Sequence, residues 1–130
     1  MQTDFDVMGR LLEYELLAAE RYRRFVSLVM VTSQNDLEGL RALLGEHVRE
    51  SDVMSNFDHS VAVLMGETDG TGALSAIDRF RKSFDSQIDM RFSVVTYPSD
   101  GGKAEGLIDA AYRRLGRARQ AVSGAVVCTD

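Results

Sequence analysis

The sequence predicts an α+β domain in which helices cover one or both faces of a mostly antiparallel sheet. Three observations support this class. Apolar residues recur at helical spacing in four segments, short apolar or alternating runs separate these segments, and turn-forming residues lie between them. The predicted order is α-β-α-β-β-α-β-α-β. Without the N-terminal helix and the short C-terminal strand this is βαββαβ, the pattern of ferredoxin-like folds.

The chain length and the first two elements fit one compact unit. With 130 residues, 1–130 is predicted to be a single domain, in which 1–24 form an N-terminal helix leading into the rest. The helix is predicted over Asp4 to Arg24 because apolar residues recur there every three or four positions. Phe25 to Val31 is short, apolar and rich in β-branched residues, which predicts a central strand covered on both faces.

A second helix and a hairpin follow. The helix is predicted from four apolar residues at helical spacing: Leu37, Leu40, Leu44 and Val48. Val53 to Phe57 and Ser60 to Met65 are predicted to be strands. Asp58-His59 between them predicts a tight turn, because Asp tolerates unusual turn dihedrals.

The second half of the chain continues the alternation. A third helix is predicted from Leu74, Ile77, Phe80 and Phe84. Met90 to Tyr97 alternates as a strand does, and Pro98 to Gly102 predicts a turn. Ala104 to Ala118 has the period of a last helix, and Ala125 to Cys128 predicts a short terminal strand in which Cys128 is packed.

Composition excludes several classes of function. The 20 acidic residues outnumber the 15 basic ones, giving a net charge of -5, so nucleic acid is not expected as a partner. Because Cys128 is the single cysteine, neither disulfides nor a cysteine-rich zinc site are expected, and a cytoplasmic location is the default prediction. No apolar run has the length of a membrane span, so no membrane segment is predicted within this chain.

Four segments resemble the GGDEF domains of diguanylate cyclases, in the same order along the chain. Arg49-Glu50-Ser51-Asp52 resembles the R-x-x-D stretch before the signature hairpin of that family, and Val61 to Met65 resembles the strand after it. Val94 to Gly102 is similar to the family's strand that ends in a Tyr-Pro-x-Asp-Gly turn. In the last helix, Leu107-Ile108 and Ala118-Arg119 resemble the leucine pair and the Ala-Lys ending of that family, and the resemblance covers Leu11 to Val127.

The resemblance implies a GGDEF-type fold whose catalytic residues are lost. Diguanylate cyclases make cyclic di-GMP from GTP with divalent metal ions, which need carboxylate ligands at fixed points. The metal position at the end of the first strand is matched by Thr32. The degenerate signature hairpin is Asp58, His59, Ser60 and Val61 in one register, or Phe57 to Ser60 in the other, and neither places an acid at the third or fourth position. No catalytic residue, metal ligand or cofactor is therefore expected.

Substrate recognition is also shortened. GGDEF domains resembling this chain have two helical segments and a guanine-binding loop between the first strand and R-x-x-D. Here residues 33–48 leave room for one helix. Because base recognition depends on buried polar partners, the resemblance implies poor GTP binding.

Arg49 and Asp52 admit two interpretations. In the family, R-x-x-D can be an inhibitory site that binds cyclic di-GMP. At spacing three on a helix end, the same residues form an ordinary surface ion pair. We favour the ion pair, because a ligand site needs further arginines that the sequence does not locate.

Two runs of basic residues are predicted to be solvated helix faces, or alternatively a docking surface for an acidic partner: Arg79, Arg81 and Lys82, and Arg113, Arg114, Arg117 and Arg119. The expected function is that of a catalytically inactive regulatory or protein-interaction domain, with a protein partner or a homodimer. The alternative is a cyclic di-GMP receptor that uses Arg49 and Asp52.

Overall fold

The computed structural model describes residues 4–34, 37–57, 59–83 and 88–130. Within these ranges, four helices and five strands follow one another in the predicted order. They are α1 (Asp4–Tyr22), β1 (Val26–Thr32), α2 (Leu37–Gly45), β2 (Val53–Phe57), β3 (Ser60–Gly66), α3 (Gly70–Ser83), β4 (Arg91–Tyr97), α4 (Ala104–Arg119) and β5 (Val126–Val127).

The strands form one sheet in the order β2-β3-β1-β4-β5. β1 pairs antiparallel with β3 on one side and with β4 on the other, and β2 pairs antiparallel with β3. Among the strands that the structure describes, only β5 joins in parallel, through two residues beside β4. The mostly antiparallel ferredoxin-like prediction is therefore confirmed.

Helices cover both faces of the sheet, so two hydrophobic cores form. One core packs α1 and α4 on the sheet, with Leu12, Leu28 and Leu115 among its buried residues. The other packs α2 and α3 on the opposite face, with Val63 and Phe80 buried. All seven residues of β1 are buried, which explains why this strand is almost continuously apolar.

Three expectations about particular residues were wrong. α2 ends at Gly45, a poor helix former, and Val48 follows in a turn in which it is still partly buried. Leu74 belongs to the apolar spacing of α3 but is exposed. Cys128 is exposed rather than packed, because β5 pairs with β4 only at Val126 and Val127 and the chain then leaves the sheet.

The other predicted elements differ from the observed ones by a few residues at their ends, and Phe84 lies outside the described residues. Among the helices that the structure describes, none combines the length and the apolar character needed to span a bilayer.

Candidate functional site

The tip of the β2–β3 hairpin lies beside the end of β1. Phe57 pairs with Ser60, which leaves a two-residue connection, as predicted; Asp58 in this connection lies outside the described residues. Thr32 is the last residue of β1, and its hydroxyl donates to the carbonyl oxygen of His59 at 3.1 Å. The structure thus brings together Thr32 and the hairpin, the two places where the sequence analysis expected lost metal ligands.

Three side chains at this point, those of Thr32, Ser60 and Val61, carry no charge and are buried. Thr32 is 6% exposed, while Ser60 and Val61 are fully buried. Val61 belongs to the core beneath α2 and α3, and the Thr32 hydroxyl is hydrogen-bonded to the hairpin backbone. Divalent cations of the magnesium type prefer carboxylate oxygens. Within the described ranges, no three His, Cys, Asp or Glu side chains are close enough to hold a metal ion together.

A single helix, α2, occupies the described part of the segment between β1 and Arg49. Its nine residues direct Leu40 and Leu44 into the core. On its outer side, Arg41 donates to the side-chain oxygen of Asn56 at 2.5 Å. These two polar groups are therefore paired with each other across a shallow groove between α2 and β2.

Arg49 and Asp52 form a more buried pair than an ordinary surface ion pair. They lie in a turn after α2, closed by a bond from the Asp52 amide to the Arg49 carbonyl oxygen at 3.0 Å. The Asp52 side chain is only 3% exposed, whereas that of Arg49 is 48% exposed. Arg49 Nε and Nη2 both donate to Oδ1 of Asp52, at 3.2 and 3.0 Å, and the Arg49 amide donates to Oδ2 at 2.9 Å.

Thr68 fixes the same guanidinium from the other side. Arg49 Nη2 donates to the Thr68 hydroxyl at 2.6 Å, and that hydroxyl donates to the Gly66 carbonyl oxygen at 2.9 Å. The Thr68 carbonyl oxygen accepts from the buried Ser27 hydroxyl on β1 at 2.8 Å. The guanidinium is therefore held in one position by Asp52, just before β2, and by Thr68, just after β3.

Arg49 lines a groove of about 360 Å³ together with Arg79 of α3. Gly72, Ser75 and Ala76 form the α3 wall, and their small side chains leave the space open. Two acids of the groove are engaged, because Glu67 pairs with Arg24, and Asp69 accepts from the Gly72 amide at 2.8 Å as a helix cap. The groove is therefore lined by two guanidinium groups, and that of Arg49 is already paired with Asp52.

Sequence reasoning assigned Arg79 to a solvated helix face and did not connect it with Arg49. Arg79 is indeed exposed, but it also lines the groove. The spacing of four residues indicated a groove beside α3, because they share one face of the helix and three of them are small. They are Gly72, Ser75, Ala76 and Arg79.

The burial of Asp52 leads to a testable expectation. Asp52→Asn removes the charge that accepts three hydrogen bonds, so we expect the free energy of unfolding to fall by about 2 kcal/mol. Asp78→Asn is the matched control, because Asp78 pairs with Arg81 at the same spacing but in an exposed position. Urea denaturation should give a lower midpoint for Asp52→Asn and an unchanged one for the control; equal midpoints would mean that Asp52 is an ordinary surface residue.

Arg114 was expected on a solvated helix face, and this expectation was wrong. Its side chain is 4% exposed. It donates to the Val94 carbonyl oxygen at 2.8 Å, to Asp100 at 2.9 Å and to Asp130 at 3.2 Å. The arginine lies inside because the turn after β4 and the C-terminal residue supply acceptors that sequence periodicity does not reveal.

The pKa values in this cluster follow from its contacts. Burial by itself raises the pKa of Asp100, but the bonds from Arg114 and from the Thr96 amide outweigh it, so the pKa lies below its ordinary value. The bond to Asp100 raises the pKa of Arg114 further. Both groups are therefore charged at neutral pH.

Comparison with solved structures identifies the fold. The GGDEF domain of TpbB (YfiN) from Pseudomonas aeruginosa superposes with a TM-score of 0.85 at 16% identity, covering 99% of this chain and 94% of that one. The active GGEEF domain of a diguanylate cyclase from Vibrio cholerae gives 0.73 at 12% identity, covering 95% and 94%. A microbial GGDEF domain, studied for its interaction with cyclic di-GMP, gives 0.76 at 12% identity, covering 92% and 86%.

No family model and no curated protein sequence matches the chain. The structural likeness shows that this chain has the fold of GGDEF domains.

Proposed function

We propose that this GGDEF-fold chain does not synthesise cyclic di-GMP and acts as a regulatory protein-interaction domain in cyclic di-GMP signalling. The observation that carries the proposal is the contact between Thr32 and the hairpin. Where the resemblance places a metal-binding acid, a buried threonine donates its hydroxyl to the His59 carbonyl oxygen.

The chemistry of the reaction explains why this contact matters. Joining two GTP molecules requires metal ions that offset the charge of the phosphates and activate a ribose hydroxyl. Ser60 and Val61, two of the hairpin positions, are buried and neutral. They therefore cannot supply the carboxylate ligand that is missing at position 32. A site with neutral groups at these points lacks the ligands on which the metal depends.

The intact core supports a function that does not need this site. Leu12, Leu28, Val63, Phe80 and Leu115 are all buried, as packing of the two faces requires. Truncating one such buried residue lowers the free energy of unfolding by several kcal/mol. Because all five are present and buried, the sequence still specifies a stable fold. A folded domain with neutral groups at the catalytic positions retains its surface for binding other proteins.

A second candidate function is binding of cyclic di-GMP in the groove between Arg49 and Arg79. Two guanidinium groups facing one cavity suit a ligand with two phosphates, and one neighbour is a GGDEF domain known for its interaction with cyclic di-GMP. Against this candidate, Asp52 already accepts three hydrogen bonds from Arg49. Its oxygens would have to give up these bonds to pair with a guanine base.

Calorimetric titration separates the two candidates. For the wild-type chain we expect at most weak binding of cyclic di-GMP, because two cations alone offer few contacts to a dianion in water. Arg49→Ala and Arg79→Ala are the test variants, and Arg113→Ala, exposed on α4, is the control. A low-micromolar affinity for cyclic di-GMP that both test variants lose and the control keeps would favour the receptor function.

The non-catalytic part of the proposal is tested by GTP turnover. Purified chain incubated with GTP and Mg²⁺ or Mn²⁺ is expected to form no cyclic di-GMP above a protein-free blank.

A further inference from the structure

The two edges of the sheet differ in how their main-chain groups are used. On the outer side of β4, β5 pairs with the first part of the strand. Further along, Arg114 donates to the Val94 carbonyl oxygen at 2.8 Å, and the Thr96 amide donates to Asp100 at 2.8 Å. β2 lies at the other end of the strand order, and no strand of the described residues lies on its outer side.

The register of the β2–β3 hairpin shows which main-chain groups face outwards. A hairpin with a two-residue connection closes on a hydrogen-bonded pair, to which β2 contributes Phe57. Bonded pairs then recur at every second residue, at Ser55 and Val53. The N–H and C=O groups of Met54 and Asn56 therefore point away from β3, at the open edge.

These outward groups have little to bind within the described residues. The Asn56 carbonyl oxygen accepts from the Ser55 hydroxyl at 3.2 Å, and a carbonyl oxygen can accept a second bond. Asn56 is exposed, and Met54 is half-buried. The edge is therefore open to another strand.

The sequence of β2 lacks the features that protect exposed edges. Natural edge strands carry charged residues, proline or a bulge, each of which hinders the addition of another strand. Val53–Phe57 contains no charged residue, proline or glycine, and its five residues pair with β3 without a bulge. An edge of this kind suits an extended segment that adds as a further strand.

The groove between α2 and β2 determines which side chains such a segment must carry. At one end, Met54 lies against Gly45, where an added Cβ would be 3.5 Å from Cε of Met54. In the middle, Arg41 binds Asn56 through Nη1, and its Nε and Nη2 make no hydrogen bond to a described residue. Glu38 is exposed and lies one turn before Arg41. The groove is therefore apolar, cationic and anionic in that order.

We propose that the outer edge of β2 binds an extended segment of a partner protein, antiparallel, as a sixth strand of the sheet. This inference rests on the proposed function, since it names the chemistry that the interaction domain recognises. The segment carries a basic, an acidic and an apolar residue at alternate positions, in that order, so that all three face α2. The apolar residue lies opposite Met54, the acidic residue opposite Asn56 beside Arg41, and the basic residue towards Glu38.

A second copy of the chain fits this edge less well. Two β2 strands paired antiparallel about Ser55 would place the two Asn56 residues about 8 Å apart. Each Asn56 holds its own Arg41, so two like charges would meet on one face. β2 also contains no carboxylate to offer the Arg41 of the other copy.

Nuclear magnetic resonance with a defined peptide tests the site. The probe is acetyl-Thr-Lys-Thr-Glu-Thr-Leu-Thr-amide, which has the required alternation and threonines that favour a strand. During titration up to the solubility limit of the peptide, the amide signals of Met54 and Asn56 should shift, and their hydrogen exchange should slow. The amides of Ser55 and Val53, which bond to β3, serve as the internal comparison.

Methylation of the peptide backbone tests whether the main chain makes the contact. Methyl groups on the Glu and Leu amides, which would face β2, should abolish the shifts of Met54 and Asn56. Methyl groups on the two threonine amides that flank Glu should leave the shifts in place, because these amides face away.

A charge exchange tests the order of side chains in the groove. A peptide with Lys and Glu exchanged should bind the wild-type chain at least threefold more weakly, as expected for exposed ion pairs. The double variant Glu38→Lys with Arg41→Glu should reverse this preference, which also shows that it has folded. Arg113→Glu, on the exposed side of α4, is the matched control and should keep the wild-type preference.

Four results would each overturn the proposal. They are unshifted Met54 and Asn56 signals at the highest peptide concentration, equal binding of both methylated peptides, a charge preference that the double variant keeps, and protection of both amides by self-association of the chain without peptide. The last result would assign the edge to a second copy. None of these measurements involves GTP, so such a failure would leave the absence of catalysis untouched.

Discussion

Arg114→Met is expected to lower the free energy of unfolding by about 3 kcal/mol, because it removes one partner of a buried ion pair. Methionine preserves most of the packing of the arginine stem, so the loss reports the three hydrogen bonds of the guanidinium. The Val94 carbonyl oxygen and Oδ1 of Asp100 would lose the donor that the buried Arg114 side chain supplies. For a domain of this size, the melting temperature should fall by roughly 10 °C.

The same variant has a predictable pH dependence. Folding lowers the pKa of Asp100. The Asp100–Arg114 pair therefore stabilises the folded protein fully at pH values above the pKa of an unfolded aspartate. This stabilisation is lost as the pH falls through the pKa of Asp100 in the folded protein. The difference between wild type and Arg114→Met should therefore be full at pH 7 and shrink below about pH 4.

Thermal denaturation of both proteins across this range, with the exposed Arg113→Met as the control, checks the prediction. A difference as large at pH 3 as at pH 7 would show that the Asp100–Arg114 charges are not its source.

The fold was predictable because its elements have strong periodicities. β1 is covered on both faces and therefore reads as an unbroken apolar run, while α4 repeats its apolar residues every three or four positions. Element ends were less certain, since Gly45 stops α2 although Val48 continues its spacing. The spacing of apolar residues does not show at which residue the backbone leaves the helix.

The site was predictable only where it is local in sequence. Asp58 and His59 are adjacent, so the hairpin was recognised, and Arg49 and Asp52 lie three residues apart. The groove joins Arg49 in the turn after α2, Thr68 in the loop after β3, and Arg79 on α3. Arg114 likewise meets acceptors from the turn after β4 and from the C-terminal residue. Contacts of this kind depend on how the sheet is assembled, and no spacing in the sequence encodes them.

The absence of diguanylate cyclase activity is the central claim of the proposed function. A metal that stabilises transferring phosphates supplies about 4 kcal/mol or more, which corresponds to about a thousandfold in rate. With Thr32, Ser60 and Val61 at ligand positions, we expect that contribution to be lost.

The most direct measurement is product formation from GTP, followed over time with Mg²⁺ and separately with Mn²⁺. The Vibrio cholerae domain described as an active GGEEF domain serves as the positive control. For this chain we expect cyclic di-GMP to stay at the level of the protein-free blank. Time-dependent formation of cyclic di-GMP that an Asp58→Asn variant loses would contradict the account.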